Sequence, residues 1–244
     1  FKYLDKLDFP GAGIFQYITF RSACAIILSL ILATVIGKKV IKILQKQQIG
    51  EDIRDLGLEG QMQKKGTPTM GGIIILLSIL IPVLLFARLD NVYIQLMIIS
   101  TLWLGAIGFA DDYIKVFRRH KEGLKGRFKV IGQVGLGLIV GITLYASDDV
   151  VIREKVSVGS AGVITSMVDE GFREENTTRI LAQDVKSTKT TIPFFKDNEF
   201  DYAWFTSFAG KYAEELGWVV FVLITILIVT AVSNGANLTD GLDG

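Results

Sequence analysis

Two groups of carboxylates stand where apolar sequence gives way to polar sequence. Asp111-Asp112 follow an apolar run ending at Ala110, and Asn237-Leu238-Thr239-Asp240-Gly241-Leu242-Asp243-Gly244 follow the run from Trp218 to Val232. Adjacent carboxylates repel, and a pair at a bilayer boundary is unfavourable unless a cation or hydrogen-bond donors offset it. Magnesium takes one or two carboxylates together with phosphate oxygens and water, so such groups suit a metal-assisted reaction between phosphates. Asn237, Asp240 and Asp243 recur at every third position, which on a helical turn presents their oxygens in nearly one direction. A third segment, Lys64-Lys65-Gly66-Thr67-Pro68-Thr69-Met70-Gly71-Gly72, combines fixed positive charge, hydroxyls and glycines that permit close backbone approach, a composition suited to an anionic ligand. Each segment also has a plain counterpart: a helix start at Thr67-Pro68, an Asp111–Lys115 pair one turn apart, and a capped helix end in the octet.

The elements that carry these groups follow from composition. Half of the 244 residues are hydrophobic, mean hydropathy is +0.43, and the apolar residues come in blocks. That predicts an all-α polytopic membrane protein. Five spans are expected, over 18–37, 71–89, 92–110, 130–146 and Trp218 to Ser233, each near the ~17–25 residues a crossing helix needs. Spans two and three form a hairpin about Asp90-Asn91, and Pro82 is tolerated inside span two. Gly132, Gly135, Gly137 and Gly141 mark span four as a close-packing helix. The formal net charge of +1 gives no argument for nucleic acid, and the single cysteine, Cys24, excludes a disulfide within the chain.

Positive charge sets the expected orientation. Lys38, Lys39, Lys42, Lys46, Arg54, Lys64 and Lys65 follow span one, and Lys115, Arg118, Arg119, Lys121, Lys125, Arg127 and Lys129 follow span three, whereas the turn between spans two and three has only Arg88. The basic segments are assigned to the cytoplasm, the amino terminus to the outside, and by parity the terminal octet joins the other two polar segments on the cytoplasmic face. The chain then divides into a membrane part over 1–146, an extracytoplasmic insertion over 147–216, and a fifth span with the start of a cytoplasmic catalytic loop over 217–244. In the insertion, Val150 to Val158 and Thr188 to Ile192 read as pairing short strands, and Phe200 to Leu216 as an interfacial amphipathic helix anchored by Trp204 and Phe208. Asn176-Thr177-Thr178 matches a glycosylation pattern of the kind chance supplies. The first apolar block lacks a cleavage pattern and reads as a retained span. The chain begins at Phe1 and stops beside a motif, so it reads as a fragment at both ends.

The runs Lys64 to Gly72, Gly108-Phe109-Ala110-Asp111-Asp112-Tyr113 and Asn237 to Gly244, in this order and at these span ends, resemble the phospho-N-acetylmuramoyl-pentapeptide transferase family, the translocase I enzymes of peptidoglycan synthesis. The resemblance covers essentially the whole chain as the amino-terminal part of that family. It implies a ten-span fold in the bacterial cytoplasmic membrane. At the cytoplasmic face, phospho-N-acetylmuramoyl-pentapeptide passes from its UDP-linked donor to undecaprenyl phosphate, with magnesium as cofactor and lipid I and UMP as products. It leaves a homodimer open. By motif match, Lys64 holds donor phosphate and Thr69 lines the same site. Asp111 activates the lipid phosphate, as a base or as a nucleophile, with Asp112 assisting or orienting a metal. Asn237, Asp240 and Asp243 bind donor or magnesium-linked groups, which places Asp240 among the catalytic residues and Asp112 and Asp243 among the metal ligands.

The chain departs from the family pattern in one respect. A Phe-Met-Gly-Asp element whose aspartate coordinates magnesium, and a histidine-rich loop, are absent, and the only histidine, His120, sits in a basic loop. The expectation is that these 244 residues alone do not turn over. A related polyprenyl-phosphate N-acetylhexosamine-1-phosphate transferase is the nearer competing reading. An ion-coupled transporter is the distant one, disfavoured because the span interiors carry no acidic residue.

Overall fold

The computed structural model describes residues 11–46, 70–118, 123–157, 180–193 and 198–243. Five α-helices account for most of them: α1 (Ile18–Lys46), α2 (Gly72–Phe86), α3 (Val92–Phe117), α4 (Gly126–Ala146) and α5 (Ala213–Asp243). Short 3-10 helices cover Ala12–Gln16 and Tyr202–Tyr212. Two strand pairs lie between α4 and α5: β1 (Ile152–Ser157) with β2 (Ile180–Val185), and β3 (Lys189–Thr191) with β4 (Glu199–Asp201). The all-α polytopic reading is met.

Among the described residues four helical segments are long and apolar enough to cross a membrane, and α2, with 15 residues, is shorter. A helix of that length rises only ~22 Å, against a hydrocarbon core of ~30 Å. The expected span over 71–89 is cut at both ends by backbone geometry, with Met70 at φ 72 before it and Ala87 extended after it. The other helices run past their expected ends. α1 continues through Lys38 to Lys46, α3 carries Asp111 and Asp112 within its last turns, and α5 takes the terminal octet into one continuous helix. The apolar faces point outward, with only 6% of the most apolar windows of α1 and α3 buried, as expected of helices meant for hydrocarbon and not for water.

By contacts the chain forms two compact units, Phe1–Leu138 with Ile226–Gly244, and Ile139–Thr225. In the first, small residues let neighbouring helices close up. A Cβ on Gly105 would stand 2.8 Å from Leu76, one on Gly132 would reach Ile107, and one on Gly137 would stand 2.7 Å from the Cα of Ile226. The Trp103 indole donates to the Gly132 carbonyl at 2.8 Å, which fixes α3 against α4. Gly132, Gly135, Gly137 and Gly141 of α4 are therefore packing residues, as their composition suggests. Asn91 caps α3 by accepting from the backbone of Tyr93 and Ile94, completing the expected α2–α3 turn.

In the second unit the two strand stretches seen in the sequence form, but not with each other. Ile152 pairs with Val185 and Ser157 with Ile180, while Lys189 pairs with Asp201 and Thr191 with Glu199. The β3–β4 hairpin closes a short loop, which costs little entropy, and Asp201 reinforces it by accepting from the Thr188 hydroxyl at 2.6 Å and from the Ala203 backbone at 2.9 Å. The expected amphipathic helix over Phe200 to Leu216 is instead a 3-10 helix that kinks at Gly210 (φ 55, ψ -112) before α5 begins. Trp204 and Phe208 project outward, 69% and 87% exposed. The Asn176 pattern and His120 lie outside the described residues.

Candidate functional site

Asp111 is 6% exposed, which for a carboxylate demands partners. Among the described residues it has three. Lys115, one turn on, lies 2.9 Å away, Lys129 reaches across from α4 to 3.0 Å, and the Leu124 backbone donates at 2.7 Å. Gly123 and Leu124, just before α4, thus lie over the carboxylate. Gly123 makes that possible, because its φ of +66 is left-handed and a Cβ there would run into the Asp111 carboxylate and lie 2.8 Å from Lys115 Cε. The local pairing that the sequence offered as the plain alternative for Asp111, with Lys115, is present.

Asp112, the next residue, is partly exposed on the same turn. Beside the acidic pair, Phe109, Tyr113 and Phe117 stack along α3 at 6.2 Å and 4.7 Å between successive ring centroids, forming an exposed aromatic stripe.

One turn beyond Lys129, α4 presents Gln133, an amide only 4% exposed. Its Nε2 donates to the Ser233 hydroxyl at 3.0 Å, and its Oε1 accepts from Asn234 Nδ2 at 2.8 Å. Asn234 also donates to the Thr230 carbonyl of its own helix at 2.9 Å. This network fixes α5 in rotation and depth one turn before Asn237, which is exposed. The backbone continues helical through Asp240 and Asp243, whose side chains lie outside the described set.

The third segment enters the site through its last residues. Met70 is buried against Leu44, with Val40, Ile73 and Val116 around them. Val116 lies on α3 just past Asp111, so Met70 docks at the Asp111 end of that helix. Lys64 and Thr69 lie outside the described residues. Described residues of two polar segments and of the turn leading into the third therefore gather at one end of the first unit: Met70 beside Val116, Asp111 joined to α4 by Lys129, and Asn234, one turn before the octet, joined to α4 by Gln133.

Three contributors escape sequence reasoning. Lys129 counts there only as loop charge, and Gly123 carries no signature. Gln133 had a usable signal, since a lone amide in an apolar helix needs a partner. Among the described residues no three acidic, histidine or cysteine side chains assemble to hold a metal. The surroundings of Asp111 are cationic, which is the reverse of a magnesium cradle.

Residues 94–244 match the model of glycosyl transferase family 4, and residues 64–76 match phospho-N-acetylmuramoyl-pentapeptide-transferase signature 1. Curated proteins called phospho-N-acetylmuramoyl-pentapeptide-transferase are similar along the whole chain. The one from Parabacteroides distasonis is 60% identical over 244 residues, 100% of this chain and 56% of its own length. That from Flavobacterium psychrophilum is 60% identical over 245 residues, 100% of this chain and 58% of its own. The protein of Porphyromonas gingivalis strain ATCC 33277 is again 60% identical, over 100% of this chain and 56% of its own length. The chain spans about half the length of the curated relatives it matches.

Proposed function

The chain belongs to glycosyl transferase family 4, and we propose that it forms the amino-terminal half of a transferase moving phospho-N-acetylmuramoyl-pentapeptide from its UDP-linked donor to undecaprenyl phosphate, with lipid I and UMP as products. The observation that carries the reading is the gathering of Met70, Asp111 and Asn234 at one end of the helices. Phosphoryl transfer between two anions needs charge neutralisation and alignment more than covalent machinery from the protein.

Lys115 and Lys129 supply the charge. Each ammonium pairs with Asp111 until an anionic phosphate competes for it, and that competition releases the Asp111 carboxylate either to take the proton of the lipid phosphate, which then attacks the sugar-linked phosphorus of the donor and expels UMP, or to attack that phosphorus itself, expelling UMP and being displaced in turn by the lipid phosphate. Asp112 lies beside it to assist it or to orient a metal, and Lys64 and Thr69 hold donor phosphate. Asn237, Asp240 and Asp243 form the facing wall. The polyprenyl tail runs along Phe109, Tyr113 and Phe117, which lead from the acidic pair toward exposed apolar surface.

Magnesium enters the proposal only through Asp112 and Asp243, carboxylates of the type that share an ion with phosphate oxygens. The side chains packed around Asp111 do not fit it, and no step above is routed through it. The site faces the cytoplasm and the protein sits in the bacterial cytoplasmic membrane, by the distribution of lysine and arginine. The 244 residues alone are expected to be inactive.

A donor comparison tests the reading. The full-length protein carrying this sequence, in detergent with undecaprenyl phosphate and magnesium, should release UMP from UDP-N-acetylmuramoyl-pentapeptide and not from UDP-N-acetylglucosamine. Release from the hexosamine donor alone would transfer the assignment to the related sugar-1-phosphate transferases. UMP release by the 244-residue chain on its own would remove the expectation of inactivity.

A further inference from the structure

The second unit holds a cavity of about 450 Å³, lined by Tyr145, Ala146, Lys186, Glu214, Glu215 and Trp218. Its chemistry is unusually mixed. The Tyr145 and Trp218 rings meet at 5.2 Å and 56°, forming an aromatic corner. The Lys186 ammonium lies 5.6 Å from the first ring centroid and 6.0 Å from the second. Glu214 and Glu215 contribute two carboxylates from the first turn of α5.

The surroundings indicate what such a cavity receives. Tyr145 closes the apolar run of α4 and Trp218 opens that of α5, and tyrosine and tryptophan favour the headgroup depth of a bilayer. Next to them α4 and α5 turn alkyl side chains outward, with Ile142 53%, Val219 54% and Leu223 59% exposed. One cation, two carboxylates, an aromatic corner and a flanking alkyl surface complement one kind of molecule: a lipid whose headgroup has both a phosphate and an ammonium.

We propose that this cavity binds the headgroup of an amine-bearing phospholipid of the phosphatidylethanolamine class. Lys186 pairs with the phosphate. The primary ammonium donates to Glu214 and Glu215, while the ring corner keeps the Lys186 ammonium in place for the phosphate. The acyl chains follow Val219 and Leu223. A primary ammonium is required because a trimethylated one has no N–H to donate to the carboxylates, and a glycerol headgroup has no cation. A purely structural account, in which Lys186 latches the β2–β3 connection onto the rings and toward Asp148 at 4.0 Å and the two glutamates favour the first turn of α5, accounts for each group singly but gives no role to their common opening on a cavity. The site is independent of the phosphate chemistry proposed at Asp111.

Native mass spectrometry of the purified chain with defined lipids tests the proposal. Wild-type protein should retain phosphatidylethanolamine about tenfold more than phosphatidylglycerol or phosphatidylcholine, the effect of one charge-assisted contact. Glu214→Gln with Glu215→Gln should abolish that preference. Lys186→Met should weaken every phospholipid, and Lys186→Arg should restore binding. Equal retention of the three lipids by wild type would overturn the proposal without reference to any variant. So would a preference left unchanged by the milder single substitutions Glu214→Gln and Glu215→Gln. Capture of soluble phosphoethanolamine as strong as that of the lipid would overturn the assignment to a membrane ligand.

Discussion

Asp111 on α3 and Lys129 on α4 stand 3.0 Å apart across the helix interface. The pair fixes where the acidic end of α3 lies relative to α4, and through Gln133, one turn further along α4, relative to the terminal octet. A buried carboxylate with two ammonium partners rests stably, and it is also poised, because an incoming phosphate competes for the same two cations.

Asp111→Asn in the full-length protein should lower turnover by about 10²–10⁴-fold, the range expected when a positioned acid–base group is lost. Donor binding should be largely retained, since asparagine keeps the shape. Steady-state kinetics with a separate donor-binding measurement checks this, and near-normal turnover would remove Asp111 from the proposed role.

Lys129→Met removes one of the two ammonium partners of a carboxylate that stays buried. The expected cost is about 1–3 kcal/mol, because Lys115 and the Leu124 backbone still compensate part of the charge. Lys129→Arg should recover most of it. Thermal unfolding in detergent reads the difference, and equal melting temperatures for Lys129→Met and wild type would mean that the pair does not hold α3 to α4.

Gly123→Ala forces a left-handed backbone on a residue with a Cβ and drives that Cβ into the Asp111 carboxylate. The strain alone is worth about 1–2 kcal/mol, and relief requires displacing the loop from Asp111. Stability and turnover should fall together. Gly126→Ala, three residues on at the first position of α4 and with open space around it, is the control and should leave both unchanged.

Gln133→Leu breaks the amide link to Asn234 and Ser233 while keeping bulk. Interhelical hydrogen bonds of this kind are worth about 0.5–2 kcal/mol, so the fold should persist. The octet would lose its rotational lock, and the account expects a raised donor KM with a smaller change in kcat. A fall in kcat alone would instead put Gln133 closer to the chemistry than α5.

Much of this was legible in the sequence, and the omissions have physical reasons. The acidic pair and the octet stand out because carboxylates at the edge of apolar runs are costly, and the apolar blocks delimit the helices. Helix ends were less legible. α5 runs on through the octet because the glycines there do not break it, and α2 begins only at Gly72, after left-handed Met70, and ends at Phe86, before extended Ala87, neither of which a local pattern announces. The strand stretches were recognisable, but β1 takes β2 across a long separation, and pairing of that kind is decided by non-local contacts. Lys129 is indistinguishable from its basic neighbours until α4 is laid against α3.

Asp240→Asn and Asp243→Asn should impair donor or metal affinity more than the rate at saturation, and a magnesium titration run beside the donor titration separates the two effects. A titration unchanged by either substitution would count against the octet as a binding wall.

The central claim is that three separated segments form one donor site. A photoreactive uridine analogue of the donor, cross-linked to the full-length protein and mapped by peptide mass spectrometry, tests it most directly. The account predicts labelled peptides from 64–72, from 108–118 and from 234–244, all suppressed by excess donor. Donor-sensitive labelling confined to 147–217, or to none of these segments, would contradict it.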